Sequence, residues 1–161
     1  MKKVLISPYS KKLRKFSLND NDKVNPKNYP YWKEVVTKLR DKNIYVIQVG
    51  VSGEDPVGAD EIKFDLKLND LKNLLLEAST WISVDNFFNH FATFYNKKGI
   101  VIWSRSDPLI FGYKQNINLL KDVKYLRDNQ FQLWEQDEFC LEAFVDTDIV
   151  ISAIESILTN D

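Results

Sequence analysis

Three stretches of this sequence carry residues that could do chemistry. WISVDNFFNH (81–90) runs from apolar residues into Asp85 and, five residues on, reaches His90, the only histidine. IVIWSRSDP (100–108) ends an apolar run in Ser104, Ser106 and Asp107. GVSGE (50–54) puts Glu54 just after the apolar run 44–49. Polar groups delivered at the C-terminal ends of buried strands are how open α/β sheets build ligand crevices. Each residue also has a structural reading. Asp85 suits a ligand or the N-cap of a helix starting near Asn86, and the two roles can coexist. His90, in the second turn of that helix, would add a donor to an anion drawn to the helix N-terminus, or would be a satisfied half-buried residue. Ser104, Ser106 and Asp107 suit phosphate or sugar hydroxyls, while Asp107-Pro108 is also a turn starter. Glu54 could take a ribose hydroxyl pair or be solvated. There is no G-x-G-x-x-G, no G-K-[ST] and no basis for a Ser/His/Asp triad.

The elements that must position these groups follow from periodicity. Val4–Ile6 and the nearly continuous apolar run Ile44–Val49 read as strands covered on both faces, as do Trp81–Val84 and Ile100–Trp103. Residues 61–66 alternate and read as an edge strand. Helical stripes appear at Trp32, Val35, Val36, Leu39; at Leu68, Leu71, Leu74, Leu75, Ala78; and at Val150, Ala153, Ile154, Ile157, Leu158, the last capped by Asp146 or Thr147. A helix from Asn86 to Tyr95 is crowded with Phe87, Phe88, Phe91 and Phe94, which cannot all face inward. Pro30 suits a helix start, and residues 10–28 read as a long loop. Residues 118–125 fit a short helix or a strand, and 129–133 an extra strand. Alternating strands and helices predict an α/β fold: a single Rossmann-like domain over 1–161, mainly parallel, with helices on both faces.

Bulk composition narrows the function classes. With 22 basic and 23 acidic residues and a net charge of -1, the chain lacks the positive field of a general nucleic-acid binder. The run Lys11-Lys12-Leu13-Arg14-Lys15 is a solvated loop or an anion contact. One cysteine, Cys140, allows no intrachain disulfide and reads as a small core residue between Phe139 and Leu141. One His and one Cys exclude a Cys/His zinc site within the chain. No run is long and apolar enough for membrane insertion, and the N-terminal apolar stretch is too short for a signal peptide, so a reducing cytoplasm is expected.

Taken together, LNDLKNLLLEASTWISVDNFFNH followed by IVIWSRSDP, with KNYP at 27–30 and GVSGE at 50–54, resembles the C-terminal, donor-binding half of GT-B glycosyltransferases. The nearest likeness is to the family 9 ADP-heptose:lipopolysaccharide heptosyltransferase group. There a helix and strand precede Asp-[Ser/Thr]-Gly-x-x-His, and a Thr-Asp-Pro-like loop follows the next strand. The resemblance implies that Lys27 meets the donor's diphosphate and Glu54 the ribose. Asp85 and His90 would lie at the phosphate and sugar end, with Ser106 and Asp107 bordering the same crevice. The motif's Gly is Phe87 here and its Ser/Thr is Asn86. The resemblance covers one of the two GT-B domains, so an acceptor site and general base are expected from a separate chain or a second copy in a homodimer. Three readings stay open: a glycosyltransferase-like domain binding a nucleotide sugar, with no further cofactor; a non-catalytic nucleotide or nucleotide-sugar binder; and a structural or regulatory protein with an idle crevice.

Overall fold

The computed structural model describes residues 1–10 and 24–159. The basic run Lys11–Lys15 lies outside them. Six parallel strands form one sheet: β1 (Lys3–Ser7), β2 (Tyr45–Gly50), β3 (Glu61–Phe64), β4 (Thr80–Val84), β5 (Ile100–Ile102) and β6 (Ile117–Leu119), in the order β3-β2-β1-β4-β5-β6. The order reverses between β1 and β4, so a crevice opens at the C-terminal ends of those two strands.

Alternation along each strand divides the core. Val4, Ile6, Val46, Ile82, Val84, Ile100 and Ile102 face one layer, made by α1 (Trp32–Asp41) and α5 (Thr147–Leu158). Leu5, Ile47, Trp81, Val101 and Trp103 face the other, made by α2 (Leu68–Glu77) and α3 (Phe87–Phe94). Both faces of the central strands are therefore dry, which is why their sequences read as unbroken apolar runs. The stripes of α1 and α5 are buried at every expected position. Gly99 has a packing reason: a Cβ there would run into the indole of fully buried Trp81.

Several expectations are corrected. Residues 129–133 do not join the sheet. They form turns with Phe131 and Leu133 exposed, and the last strand is β6, inside the ambiguous 118–125 stretch and one residue before it. Leu68 leaves the α2 stripe and is 63% exposed. Asp146 stands at the N-cap of α5 but makes no side-chain cap bond; its backbone carbonyl accepts from the amides of Ile149 and Val150. Cys140 is half-buried rather than core, because its neighbours Phe139 and Leu141 are themselves exposed. Among the described residues no helix is long and apolar enough to cross a membrane.

Candidate functional site

At the crevice the chain leaves β1 through Ser7-Pro8-Tyr9 and leaves β4 into α3. Asn86 joins the two. Its Oδ1 caps α3, accepting from Phe88 N (3.0 Å) and Asn89 N (3.4 Å). Its Nδ2 lies 3.0 Å from Tyr9 O and from Ser7 Oγ, and 3.2 Å from Ser7 O. One side chain thus satisfies helix donors and strand-end acceptors together. Phe87 opens α3 as an ordinary helical residue, so no left-handed glycine conformation is required there.

A cavity of about 500 Å3 lies beside this junction, at the ends of β1, β2 and β3. Val49, Leu66, Leu71 and Phe88 give it apolar walls, and Phe87, 61% exposed, borders it. Its polar lining includes Tyr9, Glu54, Lys63 and Asp65, together with Ser7, Ser10 and Asn86. Glu54 packs its carboxylate against the Cα of Gly50, where a Cβ would overlap it. Gly53, at φ 92°, makes the turn that returns Glu54 over the strand end. Burial first, then the charges of Asp55 and Glu54, push the Tyr9 phenol up, so it stays a neutral donor beside a carboxylate. Asp65 holds a left-handed backbone, φ 55°, and its amide donates to Gly50 O at 3.0 Å. Its carboxylate accepts from the amide and hydroxyl of Ser52, which hold it below the usual carboxylate range. Lys63 is paired with Glu61 at 2.9 Å.

Lys27 and Asp85 meet next to this junction, Nζ to Oδ2 at 2.7 Å, with side chains 21% and 11% exposed. Asp85 is therefore an ion-pair partner and not the cap of α3. The loop carrying Lys27 is fixed by its own amide on Asn25 Oδ1 (2.9 Å) and by Ser104 Oγ, which donates to Pro26 O at 2.7 Å. His90 is exposed, away from the cavity lining, with Nδ1 2.8 Å from the Tyr113 hydroxyl. Ser106 is buried. Asp107 takes its turn-starting role, capping α4 (Pro108–Phe111) by accepting from Leu109 N at 2.8 Å. Its own amide donates to Gln130 Oε1 at 2.8 Å.

The expected single hollow is thus divided. Glu54 lines the cavity, Lys27 and Asp85 neutralise each other beside it, His90 faces outward, and Ser106 and Asp107 belong to the packing of the 104–130 region. Sequence reasoning missed Tyr9, Lys63, Asp65 and the joining role of Asn86. Asn86 had a signal, since asparagine ahead of an apolar helical run is a strong N-cap. Asp65 had none, because nothing in its neighbours announces a left-handed turn. Among the described residues no cluster of three or more His, Cys, Asp or Glu side chains is placed to hold a metal ion.

No protein-family model matches the sequence, and comparison with curated proteins finds no match. Solved structures do match. The Escherichia coli heptosyltransferase WaaC with ADP superposes with a TM-score of 0.65 at 16% identity, over 97% of this chain and 44% of that one. The E. coli ADP-heptose LPS heptosyltransferase II gives 0.70 at 12% identity, over 99% and 47%. A family 9 glycosyl transferase from Veillonella parvula gives 0.73 at 14% identity, over 99% and 46%. The chain spans less than half the length of each. The likeness is one of fold, and by fold this chain resembles a single Rossmann-like half of a GT-B glycosyltransferase.

Proposed function

We propose that this chain is a glycosyltransferase-like domain that binds a nucleotide sugar, with the nucleoside in the cavity beside β1, β2 and β3. The observation that carries the reading is Glu54, a carboxylate held on Gly50 at a strand end, in a cavity that is otherwise largely apolar. A flat base fits the apolar walls, and a ribose diol is a bidentate donor for a carboxylate. Lys27 and Asp85 would stand at the diphosphate. Binding there exchanges the Lys27–Asp85 contact for a Lys27–phosphate contact, so it must overcome an existing 2.7 Å ion pair. Ser106, buried, and Asp107, engaged in capping α4, would not touch the ligand. Transfer would position the donor and stabilise leaving-group charge, with the acceptor site and general base supplied by a second chain or a second copy.

A second reading, a nucleotide binder without transfer, is favoured by Phe87 and Asn86. Phe87 puts a large side chain at the first turn of α3, and Asn86 already occupies two of that turn's donors. Thermal-shift measurements with ADP, UDP, GDP and their sugar conjugates test both readings. A ligand at 100 times its Kd adds roughly 2.7 kcal/mol of stability. A response to one base series supports the binding site. Transfer in the presence of a partner supports the first reading, and binding without transfer the second. No response to any nucleotide contradicts both.

A further inference from the structure

Three sets of donors near the end of β1 and the start of α3 are already taken by the protein itself. Ser10 N, at the cavity lining, donates to Asn28 Oδ1 at 2.8 Å. The amides of Phe88 and Asn89 are held by Asn86 Oδ1 at 3.0 and 3.4 Å. Lys27 is engaged with Asp85 at 2.7 Å. Each must give up a protein partner before it can bond a phosphate, so the net gain from an anion there is small. What the cavity mouth offers instead is apolar. Val51, just after β2, Leu68, opening α2, and Phe87, opening α3, all line the cavity and are all more than half exposed. Exposed apolar side chains gathered from three elements around one opening mark a binding surface.

Phe87 is the supported part of that rim. Phe91 backs its ring, with centroids 5.6 Å and planes 35° apart. Phe91 is itself buried and packed on Phe88 at 6.3 Å and Tyr95 at 5.1 Å. Tyr95 in turn carries Lys72 Nζ 5.5 Å from its ring centroid. A ring held by such a stack gives up little freedom on meeting a second ring, and every base presents a π-face. We propose that Phe87 is the stacking platform for the base of a nucleotide held in the cavity, so that recognition lies mainly in the nucleoside and only slightly in the diphosphate. This rests on the nucleotide-binding reading above. It sets the balance of that site: the base on Phe87, the ribose on Glu54, and the phosphates before donors that are already paired.

Calorimetry tests this with whichever of ADP, UDP and GDP binds most tightly, together with its nucleoside and inorganic pyrophosphate. The nucleoside is expected within about 10-fold of the nucleotide, and pyrophosphate at least about 100-fold weaker than the nucleotide. Phe87→Ala is expected to weaken nucleotide and nucleoside by the same factor, about 5- to 100-fold, the range of base–aromatic stacking. Phe87→Tyr keeps the π-face and should bind like wild type. Phe87→Leu keeps apolar area without a ring and should fall with Phe87→Ala. Because Phe87 is largely exposed, the urea midpoints of all three variants should stay at the wild-type value, which separates a binding role from a structural one. Nucleotide binding unchanged in Phe87→Ala overturns the platform and leaves the cavity reading intact. Phe87→Leu binding like wild type, or Phe87→Tyr falling as far as Phe87→Ala, overturns stacking. Pyrophosphate binding as tightly as the nucleotide overturns the weight placed on the nucleoside. No binding of any of the three nucleotides removes the nucleotide reading and the platform with it.

Discussion

The two halves of the sheet use their strand ends differently. On the β1–β2–β3 side, Gly50, Glu54, Tyr9 and Asp65 surround open space. On the β4–β5–β6 side, the polar residues leaving β5 are spent on the chain itself. Ser104 holds Pro26, Arg105 holds Asp137 at 2.7 Å, and Asp107 caps α4. Gln130 closes this region, donating to Arg105 O and Arg127 O and accepting from Asp107 N. A polar residue at a strand end is thus a ligand candidate only where no irregular segment must be fastened down. The 120–146 region has little regular hydrogen bonding, so it takes its order from side chains.

The largest effect is expected where the fastened side is broken. Asp137 is buried between Arg105 and Arg127, so Asp137→Ala strands two cations and should cost about 3 kcal/mol or more in urea unfolding. Nucleotide affinity should survive in the folded fraction; its loss would mean that both halves serve the ligand. Next, Glu54→Gln should weaken ADP binding by about 10-fold or more, while stability stays within about 0.5 kcal/mol. An equal loss of stability and binding would make Glu54 a structural residue. Lys27→Met sits on the boundary between the halves. It leaves Asp85, 11% exposed at its side chain, without its cation and should destabilise by about 1–2 kcal/mol, with Asp85→Asn in the same chain restoring most of it. Additive losses in the double variant would show that the pair does not couple.

The smallest effect is a pH dependence at the cavity's edge. Ser52 holds the Asp65 carboxyl below its ordinary value, so the unfolded chain binds the proton more readily. That contribution is present above the unfolded value of about 4 and is lost as pH falls through the lower folded value. Ser52→Ala should therefore lower stability at pH 7, and the difference from wild type should narrow below about pH 4. A difference that stays constant with pH would assign the loss to packing.

Much of the frame was legible because burial on both faces leaves unbroken apolar runs, as in Ile44–Val49 and Trp81–Val84. The stripes of α1 and α5 were equally plain. What was not legible depends on partners distant in sequence. That Asp85 would pair with Lys27 and leave capping to Asn86 follows from where the 25–28 loop lands. That Cys140 would lie outside the core depends on how side chains fasten a region without periodicity, and Leu68 stands at the first position of α2, where the stripe reaches solvent. The cavity was half legible: Glu54 and its Gly50 stand in one short motif, while Tyr9 and Asp65 arrive from other strand ends.

The most direct test of the central claim is backbone amide shift mapping on addition of ADP. Nucleotide binding in the cavity predicts that Gly50, Val51, Glu54 and Phe87 move together while Asp107, Arg127 and Gln130 stay still. Shifts confined to the 104–130 region, or none at millimolar ADP, would contradict it.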